Sequence, residues 1–324
     1  MPIFAPRNLG TIDFTAGQQK TMQIDRDGVL MQMNLRLQYT VTAGSSAMVG
    51  PKFETISRLL KRVEIVMGGR DTVFSMDGPG IVRRAIDDFG VRPQGTGDTF
   101  VLTGTATVTT YDIVVPLVFW SPRGRRPQDT ALDLRKVRQA TLRIQWGDID
   151  DLVTTVNSAA ISAVTCTVEG QYMLDVSDND QFLVRQLDML EEEITGSNEN
   201  FTVLLDGITG LLMRTALVTT TADDVAVNTI IGSGNVRVES GSFVFRNTNG
   251  RMVQGDNTLA FNRQQDTGVY DLAFLKFGEG VNLINTGALT ANLNLKLDAT
   301  KVSGTNVVKI YRESWRPLKV SNAA

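Results

Sequence analysis

The sequence predicts an all-β chain built from one unit used twice. Three observations predict it: apolar residues recur with a period of two, turn dipeptides separate the runs, and five landmarks keep the same order in both halves of the 324 residues. Such alternation turns one face of a strand to a core and the other to water or a neighbour.

The clearest strand covers residues 31–41. Met31, Met33, Leu35, Leu37, Tyr39 and Val41 share one face, and Gln32, Asn34, Arg36 and Gln38 share the other. The same pattern predicts strands at residues 63–67, 140–146, 236–245, 291–297 and 307–315, with turns at Asp27-Gly28, Gly68-Gly69, Asp77-Gly78, Asp206-Gly207 and Asn249-Gly250. Helical spacing is confined to short connectors. Residues 51–60 place Phe53, Ile56, Leu59 and Leu60 on one stripe, and residues 81–89 do the same with Ile81, Val82, Ala85, Ile86 and Phe89 before Gly90 stops the helix. A third connector helix is expected at residues 129–139. Residues 182–194 fit a helix through Leu183, Leu187 and Leu190 or one long strand equally well.

The repeated landmarks run as follows. Asp27-Gly28 leading into Leu30-Met31 is matched by Asp206-Gly207 leading into Leu211-Leu212-Met213-Arg214, and Val63-Glu64-Ile65 is matched by Val236-Arg237-Val238. Tyr111-Asp112 opens an apolar strand, as Tyr270-Asp271 does. Ala140 to Trp146 corresponds to Ala291 to Leu297, and each half closes on a strand with a tyrosine, Tyr172 or Tyr311. The spacing between partners shrinks from about 180 to about 140 residues, so the second copy has shorter connections. Each half has room for about eight strands, with connections too long for an up-and-down barrel and suited to a chain that crosses the barrel ends. The expected architecture is two tandem eight-stranded jelly-roll β-barrels with a few short connecting helices, residues 1–180 and residues 181–324.

Composition narrows the chemistry. With 42% hydrophobic and 21% charged residues the chain is an ordinary globular one, and no apolar run is long enough to cross a bilayer as a helix. There is no histidine, which excludes Ser-His-Asp and Cys-His catalysis and His-bearing zinc sites. The single cysteine, Cys166, cannot form an internal disulfide, and no basic N-terminus precedes an apolar signal core, so synthesis in a reducing cytoplasm is expected. A net charge of −3 gives no bulk affinity for nucleic acid, and none that is sequence-specific is expected.

One dense basic segment stands out: Arg123, Arg125, Arg126, Arg135, Lys136 and Arg138, followed by Arg143. It is the candidate contact to a neighbouring subunit or to lipid head groups, set against a solvated loop neutralised by Asp129 and Asp133. Arginine outnumbers lysine 23 to 9, which favours bidentate pairing at protein interfaces. The acidic groups Asp148, Asp150, Asp151 and Asp175, Asp178, Asp180 lack the spacing of a calcium loop, and Glu191-Glu192-Glu193 reads as a charged face. Gly95-Thr96-Gly97 and Gly232-Ser233-Gly234 lack the strand-to-helix context of a phosphate-binding loop. Trp120, Trp146 and Trp315 lie in strand patterns and are expected to be buried. No catalytic residue, metal or cofactor is expected.

Three stretches give the sequence a family resemblance. They are the run from Met22-Gln23-Ile24 to Met67, with its core-facing strand and short helix; the run from Ile113 to Trp146, with its apolar strand, basic Pro-containing loop and closing Leu142-Arg143-Ile144-Gln145-Trp146; and the C-terminal strand pair from Leu293 to Trp315. In these the chain resembles the double jelly-roll major capsid proteins of tailless icosahedral viruses with an internal membrane, most nearly those of corticovirus-like, lipid-containing bacteriophages. It departs from them in the ambiguous residues 182–194 and in having no strongly basic N-terminal arm. The resemblance implies a structural protein with no enzymatic activity, forming pseudo-hexagonal homotrimers that tile a virion shell. It further implies penton or minor capsid proteins as partners and an internal lipid membrane as a contact. A carbohydrate-binding jelly-roll module or a viral spike is the alternative, and a carboxylate-only glycoside hydrolase is a weaker one.

Overall fold

Strand pairing follows the period-two pattern through most of the computed structural model, in which residues 3–104, 106–122, 126, 129–177, 183–261, 264–274 and 283–317 are described. The chain divides into two units, residues 1–186 with 317–324 and residues 187–316.

In chain order the first unit contains β1 (Ile3–Ile12), β2 (Gln19–Gln23), β3 (Val29–Thr42), β4 (Val49–Pro51), β5 (Leu60–Met67), β6 (Asp71–Met76), α1 (Gly78–Phe89), β7 (Val108–Val118), β8 (Leu132–Asp133), β9 (Ala140–Trp146), α2 (Ile149–Leu152), β10 (Val153–Thr155) and β11 (Ala160–Leu174). Two antiparallel sheets result, one ordered β1-β11-β3-β7 with β8 beside β3, the other β2-β9-β5-β6. The alternation of β3 sends Leu35, Leu37 and Tyr39 inward to zero exposure, where Ile113, Val115, Leu142, Ile144 and Val168 are equally buried. Burial of this kind contributes roughly 1.5–3 kcal/mol for each large apolar side chain.

The second unit contains β12 (Val184–Ile194, of which the last eight residues belong here), β13 (Asn198–Leu204), β14 (Leu211–Thr220), β15 (Asn235–Ser240), β16 (Phe243–Asn249), α3 (Gly250–Phe261), β17 (Val269–Ala273), β18 (Ile284–Asn285), β19 (Leu293–Ala299) and β20 (Asn306–Arg316). Its sheets run β12-β20-β14-β17, with β18 beside β14, and β13-β19-β15-β16. Leu212, Leu217, Val236, Val238, Tyr270, Leu272, Leu295, Val308 and Ile310 form the middle of its core.

Counting only the longer strands of each unit from one to eight, both units give the orders 1-8-3-6 and 2-7-4-5. This is jelly-roll topology twice over. Smaller features repeat too. A two-residue strand leads into a 3-10 turn in both units, capped by Asp133 in one and by Asn285 in the other, and a twelve-residue helix follows the fifth strand in both.

Local sequence explains where elements stop. Asp77 caps α1 by accepting the Gly80 amide at 2.8 Å, Pro79 sits in the first turn, and Gly90 closes the helix at φ 74°. Several expectations are corrected. Residues 51–60 form only a 3-10 turn at Thr55–Leu59, and residues 129–139 form β8 and the 3-10 turn Leu134–Lys136 in place of a helix. Residues 182–194 resolve as the strand β12, with Phe182 outside the described residues. The strand expected at residues 236–245 is two strands folded back at Gly241, which has φ 58°. Tyr172 and Tyr311 share the last strand of their units but not its register, since Tyr172 faces Leu30 and Tyr311 faces Ala216.

Candidate assembly surface

The basic segment sits on the connection from β7 to β9. Arg123 and Arg125 lie outside the described residues. Arg126 binds Asp129, through its guanidinium at 2.9 Å and its amide at 3.0 Å. Arg135 forks onto Asp133 at 2.8 and 2.9 Å and donates to the Val176 carbonyl, and the Lys136 ammonium lies 3.5 Å from the same carboxylate. Burial raises the pKa of Asp133, but the hydrogen bonds from Arg135 and the charges of Arg135 and Lys136 outweigh it and hold the carboxyl below its ordinary value. Arg138, exposed, joins Asp25, Arg26, Asp27 and Arg135 around a cleft of about 630 Å³. Arg143 stands in β9 opposite Thr21 and Glu64. The described cations therefore interleave with carboxylates, and no single-signed patch forms among them.

Other candidates resolve into structural roles. Asp148 and Asp151 make the capping box of α2, and Asp151 also binds Lys61 at 3.1 Å. Asp178 and Asp180 lie outside the described residues. Among the described residues no group of three or more acidic or cysteine side chains is arranged to hold a metal ion. Glu191, Glu192 and Glu193 occupy the far half of β12, with Glu191 3.7 Å from Lys309. Trp146 is fully buried and donates to the Asp13 carbonyl, while Trp120 and Trp315 are half-buried. Burial pushes the Cys166 thiol up to about 12.

The outward faces of the sheets carry the most informative geometry. On β3 and β7 of the first unit, Arg36 forks onto Asp112 at 2.6 and 3.0 Å, and Gln38 donates to the same carboxylate at 2.8 Å. This pair is solvent-exposed, with the side chains 57% and 44% accessible. The Arg36 hydrogen bonds draw the Asp112 carboxyl below its ordinary value. In the second unit Arg214 of β14 binds Asp271 of β17 by the same two-residue diagonal: Asp112 faces Gln38 across the ladder, and Asp271 faces Ala216. Here both side chains have zero exposure. Sequence reasoning placed Arg36 on an outward face and matched Tyr111-Asp112 to Tyr270-Asp271, yet missed the Arg214 pair. A register shift between Leu212 and Arg214 reverses which residues face out, and no alternation within Leu211-Leu212-Met213 announces it.

The helices show the opposite contrast. In α1 nearly every residue is buried, including the pair Arg83 and Asp87, 2.6 Å apart with side chains 1% exposed. In α3 and the preceding β16, Met252, Leu259 and Phe243 are 63%, 84% and 71% exposed.

No protein-family model and no curated protein matches the chain. Solved structures do. A chain in the atomic structure of Sulfolobus turreted icosahedral virus superposes with a TM-score of 0.75 at 13% identity, covering 98% of this chain and 92% of that one. The PBCV-1 virus capsid chain gives 0.64 at 16% identity over 97% and 94%. The major capsid protein of bacteriophage PM2 gives 0.62 at 10% identity over 99% and 100%. With the strand orders above, these similarities along the whole length establish that the chain has the double jelly-roll fold found in viral major capsid proteins.

Proposed function

We propose that the chain is the major capsid protein of an icosahedral virion, with three copies forming a capsomer in which each jelly roll supplies one of six barrels. The observation that carries this is the duplication itself: two barrels of identical strand order in one chain let a threefold oligomer present a nearly sixfold outline that tiles a shell. The location is then the virion, after synthesis in the host cytoplasm, and penton or minor capsid proteins and an internal membrane are the further partners. We assign Arg123, Arg125, Arg126, Arg135, Lys136 and Arg138 to contacts with neighbouring subunits, supported by the carboxylate pairing of Arg126, Arg135 and Lys136, which suits protein surfaces better than anionic lipid. The glycan-binding alternative is disfavoured by full burial of Trp146 and partial burial of Trp120 and Trp315, which leaves no exposed aromatic platform among them.

Light scattering at micromolar concentration tests the proposal: the expected mass is three times the 35.4 kDa chain. Electron microscopy of assembled particles should then show pseudo-hexagonal tiles. A mass equal to one chain under these conditions overturns the proposal.

A further inference from the structure

We propose that Asn249-Gly250, at the junction of β16 and α3, is a self-modification site that the fold holds shut and that opening of α3 releases. It is the only Asn-Gly step in the chain. In such a step the glycine's backbone nitrogen can attack the side-chain amide carbon of the asparagine, because glycine has no Cβ to hinder the approach. The new bond from nitrogen to carbon closes a succinimide, and the side-chain amide nitrogen leaves as ammonia, taking up the proton that the glycine nitrogen gives up. One water then opens the ring at either carbonyl and leaves aspartate or isoaspartate at position 249. Water is consumed and ammonia released, and nothing is oxidised or reduced.

Both reacting groups are held in the folded second unit. The Asn249 side-chain oxygen accepts the Met252 amide at 2.9 Å and so caps the first turn of α3, while the Gly250 nitrogen donates to the Gly234 carbonyl at 3.0 Å. Gly250 is buried. A Cβ there would lie 2.6 Å from the Gly232 carbonyl oxygen and 2.8 Å from the Tyr270 ring, so the peptide has no room to turn toward the side chain. These restraints last while α3 is docked. Val253, fully buried, docks it, as does Gln254, which donates to Asn228 Oδ1 and to the Val269 carbonyl, both at 3.0 Å. Against them stand Gly255 within the helix and Asn257, whose side chain is fully buried and whose Oδ1 and Nδ2 have no hydrogen-bond partner among the described residues. A helix so burdened opens at lower cost than the sheets beneath it. The two products then differ in consequence. Aspartate can still accept the Met252 amide, as Asp77 accepts that of Gly80 in α1, whereas isoaspartate adds a methylene to the backbone and breaks the junction. An opening of α3 is thereby recorded in the covalent chain.

Timed incubation of the full chain in mildly alkaline buffer, with and without urea, tests this. Samples are quenched in acid, and the tryptic peptide between Arg246 and Arg251 is followed by mass spectrometry, with isoaspartate counted by enzymatic methylation of its free carboxylate. The unfolded chain should gain acid at Asn249, mostly as isoaspartate. The native chain should do so more than about tenfold more slowly, since only the fraction of chains with α3 open can react. Gln254→Ala removes two hydrogen bonds that dock the helix and should speed the native reaction about tenfold, with the rate in urea unchanged. Asn249→Ser keeps a capping oxygen and lacks the reacting amide, so its peptide should stay unmodified in both states; acid appearing there places the chemistry on Asn247 and overturns the assignment. Equal rates for wild type with and without urea overturn the gate, a comparison that needs no variant. A Gln254→Ala chain with the wild-type far-ultraviolet spectrum and the wild-type native rate overturns the role given to α3.

Discussion

Asp133 shows how one buried carboxylate organises a basic segment. It has zero exposure, accepts two guanidinium hydrogen bonds and caps the following turn, so removing its charge weakens both hydrogen bonds from Arg135 and the cap. We expect Asp133→Asn to lower unfolding free energy by about 2–4 kcal/mol at neutral pH, as a shift in urea midpoint. The carboxyl's folded pKa lies below its unfolded one, so its stabilisation is complete above the ordinary carboxylate range, about pH 4, and is lost as pH falls through the depressed value. The gap between wild type and Asp133→Asn should narrow in acid; a gap that widens there contradicts the assignment. Cys166, raised to about 12 by burial, should resist maleimide in the folded protein at neutral pH and react once urea unfolds it. The sequence displayed the basic residues of this region and their acidic neighbours, but which of them pair depends on a backbone path that runs from strand to 3-10 turn, and no periodicity encodes that.

At the scale of elements, legibility followed the strength of the local signal. β3 was readable because its alternation is long and unbroken, and α1 because an aspartate cap, an early proline and a closing glycine agree with its apolar stripe. The equivalent α3 went unread. Gly250, Gly255 and Asn257 weaken its helix propensity, and Asn249-Gly250 looks like a hairpin turn. The glycines at the two ends of α1 should respond differently to substitution. Gly90 has open space where a methyl group would go and only its φ of 74° to lose, so Gly90→Ala should cost about 1–2 kcal/mol. At Gly78 a Cβ would come within 1.9 Å of the Ser57 carbonyl oxygen, so Gly78→Ala forces the 3-10 turn and α1 apart and should cost clearly more by thermal denaturation. Equal losses at the two positions would refute this account.

For the molecule as a whole, five weak landmarks in one order conveyed the duplication that no single pair could, since alternation is common in any β protein. What the sequence withheld is the unequal fate of the copies: Arg36 and Arg214 each pair with an aspartate on the same diagonal, one exposed and the other buried. The doubled barrel also leaves a signature in tolerance to mutation. Screening a library for foldable single chains should forgive changes at Arg36, which is exposed, and reject them at Arg214, whose buried charge would be lost or left facing Asp271 alone.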